Sequence, residues 1–225
     1  MLSKHWQDKF VQVLLTACAS TSILIVALIF IFLGKETLPF AWEPGLSALW
    51  DDAWTPVSFQ KQRFGLIPLA AGSLAVTVLA MTLAAPLGVL GAVYISEIAR
   101  PRERELLKPF IEILAGIPSV VLGFFALVVI APLVKDLFGL NTGLTALTGA
   151  IILALMANPT IISVSEDAIH AVPAAYKQAS MALGASAVQT MWRVTVPAAA
   201  PGILAATLLG MGRVIGETMA VMMVT

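Results

Sequence analysis

An all-α, polytopic membrane helix bundle is the fold class this sequence predicts, and three observations predict it. Apolar residues make up 59% of the 225 and charged residues 12%, with a mean hydropathy of +0.95. That leaves too little charge to cover a soluble domain of this length. Five stretches meet or approach the roughly 20 apolar residues needed to cross a bilayer core about 30 Å thick. They are 11–33, 67–95, 110–134, 143–164 and 197–225, and only the last carries charge deep inside. The third observation concerns what is scarce. Cys18 is the one cysteine, and His5 and His170 are the two histidines, so a Cys cluster, an intrachain disulfide, a metal site or a nucleophile–His pair has almost no material. Zero formal net charge argues against a nucleic-acid partner, which leaves a basic stripe.

Taken in order, residues 1–10 form a short N-terminus with Lys4 and Lys9 ahead of the first span, 11–33. That span is too long for a signal-peptide core and no small-x-small cleavage site follows, so it reads as a retained helix. Residues 34–66 are polar and contain Trp42, Trp50 and Trp54, suited to a membrane interface. With the N-terminus in the cytoplasm, the inner side holds Lys4, Lys9, Arg100, Arg102, Arg104, Lys108, Lys177 and Arg193. The outer side then holds Lys35, Lys61, Arg63 and Lys135. The inner excess of basic residues is the expected bias, and 34–66 becomes the external segment.

Residues 67–225 form the core. Pro86, Pro118 and Pro159 lie in or near its spans. A proline removes a donor, so Pro118 is expected to free the Leu114 carbonyl and Pro159 that of Leu155. In lipid such carbonyls must face protein or a water-filled path. Gly116-Ile117-Pro118-Ser119 and Asn158-Pro159-Thr160 are therefore either bends lining a cavity or packing kinks.

Between the fourth and fifth spans, 165–196 changes character. Pro173 suits a first helical turn, and Ala175, Ala179, Ala182 and Leu183 recur at helical spacing. Gly184 fits a left-handed helix end, and Ser186-Ala187-Val188-Gln189 has the form of a capping box. Two short helices with a glycine elbow are expected, with Pro197 starting the fifth span. The pattern fits a partner-docking helix as well as a hairpin lying on the membrane. In the fifth span, Arg213 lies about 15 Å beyond Ile203 along a helix, near mid-membrane. Glu217 follows at i+4, on the same helix face, and Gly212, Gly216 and Ala220 make a small-residue strip beside them. Such buried charges are functional candidates: a guanidinium fork matches oxyanion oxygens, and the carboxylate would hold Arg213 between anions. A purely structural pair is the alternative.

Gln178-Ala179-Ser180-x-x-x-Gly184, followed nine residues later by Val194-Thr195-Val196-Pro197, resembles the Glu-Ala-Ala-x3-Gly-x9-Ile-x-Leu-Pro loop of ABC importer permeases. It departs at Gln178, Ser180, Val194 and Val196. Gly116-Ile117-Pro118-Ser119-Val120-Val121-x-Gly123, Pro86-Leu87-Gly88 with Tyr94-Ile95-Ser96-Glu97, and Gly212-Arg213-Val214-Ile215-Gly216-Glu217-Thr218-Met219-Ala220-Val221 are similar to stretches of phosphate permeases of the PstC type. The resemblance implies a bundle of the ABC importer permease type in a bacterial or archaeal cell membrane, with a sixth span expected after Thr225. It implies that Gln178, Ala179, Ser180, Gly184 and Pro197 belong to the element engaging the ATPase. It places Arg213 and Glu217 on the translocation path of inorganic phosphate, in a subunit surrounded by membrane lipid. The implied partners are ABC ATPase subunits, a PstA-type permease and an extracytoplasmic phosphate-binding protein. No Gly-x4-Gly-Lys-Ser/Thr loop occurs, so ATP belongs to a partner and no cofactor is expected in this chain. Rival readings are a sulfate or molybdate permease, an intramembrane enzyme using Glu217 or Asn158 with Ser163, and a membrane scaffold.

Overall fold

The computed structural model describes residues 2–58 and 62–224, with side chains from Asp8 onward. Lys61 and Thr225, and the side chains of Lys4 and His5, lie outside the described residues. The chain divides into two compact units, Met1–Ala70 and Ala71–Thr225.

In the first unit, helix α1 (Leu2–Phe40) carries the first span and extends beyond it at both ends. A hairpin of two-residue strands, β1 (Trp54–Thr55) and β2 (Arg63–Phe64), pairs antiparallel. Asp52 and Arg63 bridge at 2.9 Å beside it, and Phe64 meets Phe40 edge to face at 5.3 Å.

Among the described residues five helices are long and apolar enough to cross a membrane: Asp8–Trp50, Leu66–Ile98, Ser119–Phe138, Ala146–His170 and Ala187–Gly216. Two expected spans change. The third does not run through 110–134, because the chain breaks at Ile117-Pro118. Helix α3 (Pro101–Gly116) stops there, and a new helix starts at Ser119. That helix comprises α4 (Ser119–Phe125), a wide turn Ala126–Ile130, and α5 (Ala131–Phe138). The fifth begins earlier than Pro197. Helix α8 (Ala187–Thr190) joins α9 (Val196–Gly216) through the wide turn Met191–Thr195 without interruption. Helix α9 ends at Gly216, and α10 (Met219–Val224) follows after a two-residue break.

Helix α6 (Ala146–His170) is the centre of the second unit, with more than half of its most apolar stretch buried. Helix α2 (Leu66–Val93) and α9 pack on one side through Ala80, Ala84, Ala157, Ile161 and Val214. On another side, α4, α5 and α10 pack through Leu122, Ile130, Ile152 and Ala220. Close approach depends on glycine. A Cβ at Gly88 would lie 2.6 Å, and one at Gly210 2.5 Å, from carbons of Ile161; one at Gly202 would lie 2.4 Å from the Ala168 Cβ. The small-residue strip that joins helices is therefore Gly202, Ala206 and Gly210. Among the described residues nothing lies within 4 Å of a Cβ built at Gly212 or Gly216, while Ala220 packs on Gly123.

Helix α7 (Ala174–Ala182) follows α6 after three residues. Gly184 has φ +86°. The Gly184 N–H donates to the Met181 carbonyl at 2.9 Å and the Ala185 N–H to that of Ser180 at 3.3 Å, the double closure of a Schellman end. Ser186 and Gln189 form the expected capping box.

Candidate functional site

Arg213 occupies the last turn of α9. Its Nη1 donates to Thr160 Oγ1 at 3.2 Å, and its Nη2 to the Ala115 carbonyl at 3.4 Å. These contacts join the half-buried cation to Thr160 of the 158–160 motif and to Ala115, the residue just before the 116–119 motif. The second acceptor exists because of Pro118. The proline has no N–H and keeps Ile117 extended (φ −68°, ψ 129°), which ends α3. The Leu114 carbonyl, expected to be free, accepts from Ile117 N at 3.4 Å. Ala115 is the residue whose carbonyl, left without the Ser119 N–H of a continuous helix, goes to the guanidinium.

Glu217 does not share a helix face with Arg213. It lies beyond the end of α9 in extended conformation (φ −85°, ψ 118°). Its Oε1 accepts from Met219 N at 3.1 Å and Ala220 N at 3.2 Å, so it caps α10. Among the described residues Arg213 makes no ion pair. Helix ends supply what the missing pair does not. Arg213 sits at the C-terminal ends of α3 and α9, where the partial charge is negative. Glu217 sits at the positive N-terminal end of α10.

Helix α6 runs through Pro159 without a break. Asn158 Oδ1 is buried against the Gly88 backbone and accepts no hydrogen bond among the described residues. Ser163 instead lines a cavity of about 110 Å³ with Lys108, Glu112, Glu166 and Asp167, between α3 and α6. Asn158 does not line that cavity. Beside that cavity Glu166, its side chain 4% exposed, bridges Arg104 and also Lys108, the latter at 2.8 Å. His170 Nδ1 lies 3.5 Å from the Arg104 guanidinium. This clamp ties α3 to the loop end of α6. Sequence reasoning missed it; the only signal was an acidic residue just past an apolar run and two basic residues one helical turn apart.

In the loop, Gln178 and Ala179 are exposed, and the Ser180 hydroxyl lies 2.9 Å from that of Thr190. Lys177 meets Glu97 at 2.5 Å, tying α7 to the end of the α2 span. Ala175, Ala179 and Ala182 are exposed, and Leu183 is 91% exposed, so none of the described residues covers the apolar stripe. Pro197 lies in the first turn of α9.

The family model described as "Binding-protein-dependent transport system inner membrane component" matches residues 84–225. A probable ABC transporter permease protein of Bacillus subtilis, YqgH, is 41% identical over 216 residues, covering 95% of this chain and 70% of its own. The phosphate transport system permease proteins PstC of Pasteurella multocida and Mesorhizobium japonicum are 32% and 33% identical over 196 residues. Each covers 79% of this chain, which spans 60% and 59% of their respective lengths. Among solved structures, the inward-facing MetNI methionine ABC transporter superposes with a TM-score of 0.52 over 68% of each chain, at 24% identity. That likeness concerns the fold.

Proposed function

The chain belongs to the binding-protein-dependent transport system inner membrane components, and from that premise we propose that it carries phosphate. As an ABC importer permease subunit it is a multi-pass membrane protein and a transport subunit, not an enzyme. On our reading it forms part of the pathway of an ATP-driven phosphate importer, with its N-terminus in the cytoplasm. The other parts are a PstA-type permease, a pair of ATPase subunits and an extracytoplasmic phosphate-binding protein.

One observation carries the substrate class. Arg213 stands at the breaks of two helices and beside the proline of a third, held by two neutral acceptors and no carboxylate. A guanidinium fork in that setting fits a tetrahedral oxyanion. The names of the PstC relatives support phosphate among the oxyanions. The exposed stripe of α7 and its Schellman end support ATPase docking by Gln178, Ala179, Ser180 and Gly184, with Pro197 closing the coupling element in the first turn of α9.

The test is anion-stimulated ATPase activity of the full transporter reconstituted in vesicles. Phosphate should stimulate hydrolysis while sulfate and molybdate do not. Equal or greater stimulation by sulfate or molybdate would reassign the substrate. Arg213→Gln should abolish phosphate uptake in complexes shown to assemble. Full uptake by that variant would remove Arg213 from the pathway.

A further inference from the structure

We propose that the Ala115 main-chain carbonyl is a built-in competitor of the transported anion for Arg213, displacing it at release. This rests on the reading of Arg213 as the anion contact. The Nη2 that donates to Ala115 at 3.4 Å and the Nη1 that donates to Thr160 at 3.2 Å belong to one fork. An oxyanion gripped by both nitrogens needs at least the carbonyl to withdraw.

The carbonyl is available only because of Pro118. In a continuous helix the Ser119 N–H would close on it, but Ser119 instead opens α4. Helix α3 is also built to shift. None of its residues is buried, and its ties to α6 and α9 include polar ones at both ends: Arg104 and Lys108 on Glu166, and Ala115 on Arg213. A segment with few buried apolar contacts moves at low cost. With α3 seated, the guanidinium is occupied by the chain's own oxygen and holds an anion weakly. With α3 withdrawn, the same N–H groups turn to the anion.

Pro118→Ala tests this without touching Arg213, because it lets the Ser119 N–H claim the carbonyl. The readout is the inorganic-phosphate dependence of ATPase activity and uptake by the full transporter in proteoliposomes, after assembly has been checked. Half-saturating phosphate should fall about ten- to hundredfold, the worth of one hydrogen bond to a charged group. Maximal uptake should fall with it, since release slows. A purely structural kink would lower the maximum and leave half-saturation unchanged or raised, and either result overturns the proposal. Glu166→Gln loosens the other end of α3 and should move half-saturation the same way. It decides the matter alone if Pro118→Ala does not assemble, and no decrease there refutes the idea. Arg213→Lys separates the two readings. If it saturates with phosphate as the parent does, the assignment of Arg213 itself fails. If it is impaired while Pro118→Ala saturates normally, only the competitor role fails.

Discussion

Arg213 is tolerated in an apolar bundle because two helix C-termini converge on it. Glu217 is settled separately, by the N–H groups of Met219 and Ala220. Each charge therefore has its own local solution, and the two should act independently. A double-mutant cycle of Arg213→Gln and Glu217→Gln is expected to show a coupling below about 0.5 kcal/mol in the stability of the solubilised subunit. Glu217→Ala, which removes the cap, should destabilise by about 0.5–2 kcal/mol, while Glu217→Gln keeps an acceptor and should lose less. Arg213→Lys should retain only part of phosphate uptake, because a point charge lacks the planar fork. The cation was visible in the sequence as a rare charge inside an apolar run. Its partners were not, because Thr160 and Ala115 are 53 and 98 residues away along the chain. The break that separates Glu217 from α9 had a faint local signal: Gly216 suits a helix end and Thr218 a helix start.

At the level of elements, glycine decides which helices touch. Gly210 and Gly88 both lie against Ile161, so Gly210→Ala forces a Cβ to 2.5 Å from that side chain. Overpacking of this kind costs about 1–3 kcal/mol, and thermal melting of the solubilised protein should register it. Gly212→Ala meets nothing among the described residues and should melt as the parent does. Gly184→Val faces open space but must adopt φ near +86°, at a cost of roughly 1–2 kcal/mol. The expected outcome is ATP hydrolysis that no longer tracks phosphate uptake. The loop was legible nearly residue by residue, since helix start, glycine end and capping box are local chemistry. The third span was not. Its apolar run crosses Pro118 continuously, so the proline signalled a bend within one span while the structure divides the run between two helices.

Across the whole molecule, α6 organises the second unit, and its loop end is bound to α3 through Glu166. Removing that carboxylate leaves Arg104 and Lys108 facing each other without their counter-ion. Breaking a buried pair costs about 3–5 kcal/mol. The expected loss from Glu166→Ala is smaller, because the two cations are 28% and 44% exposed and water takes over part of their solvation. Melting of Glu166→Ala against Lys108→Met should show the larger drop in the first, which strands two charges where the second removes one. The uninterrupted helix from Ala187 to Gly216 has a mechanical corollary. Arg213 lies 26 residues from the start of that rod, about 39 Å at 1.5 Å per residue. A tilt of only about 3° at the loop end would sweep the guanidinium through roughly 2 Å by that geometry, enough to exchange one hydrogen-bond acceptor for another. If Arg213 grips the anion as proposed, the rod would act as a lever arm, and a slight rocking of the α7–α8 elbow would change that grip at its far end.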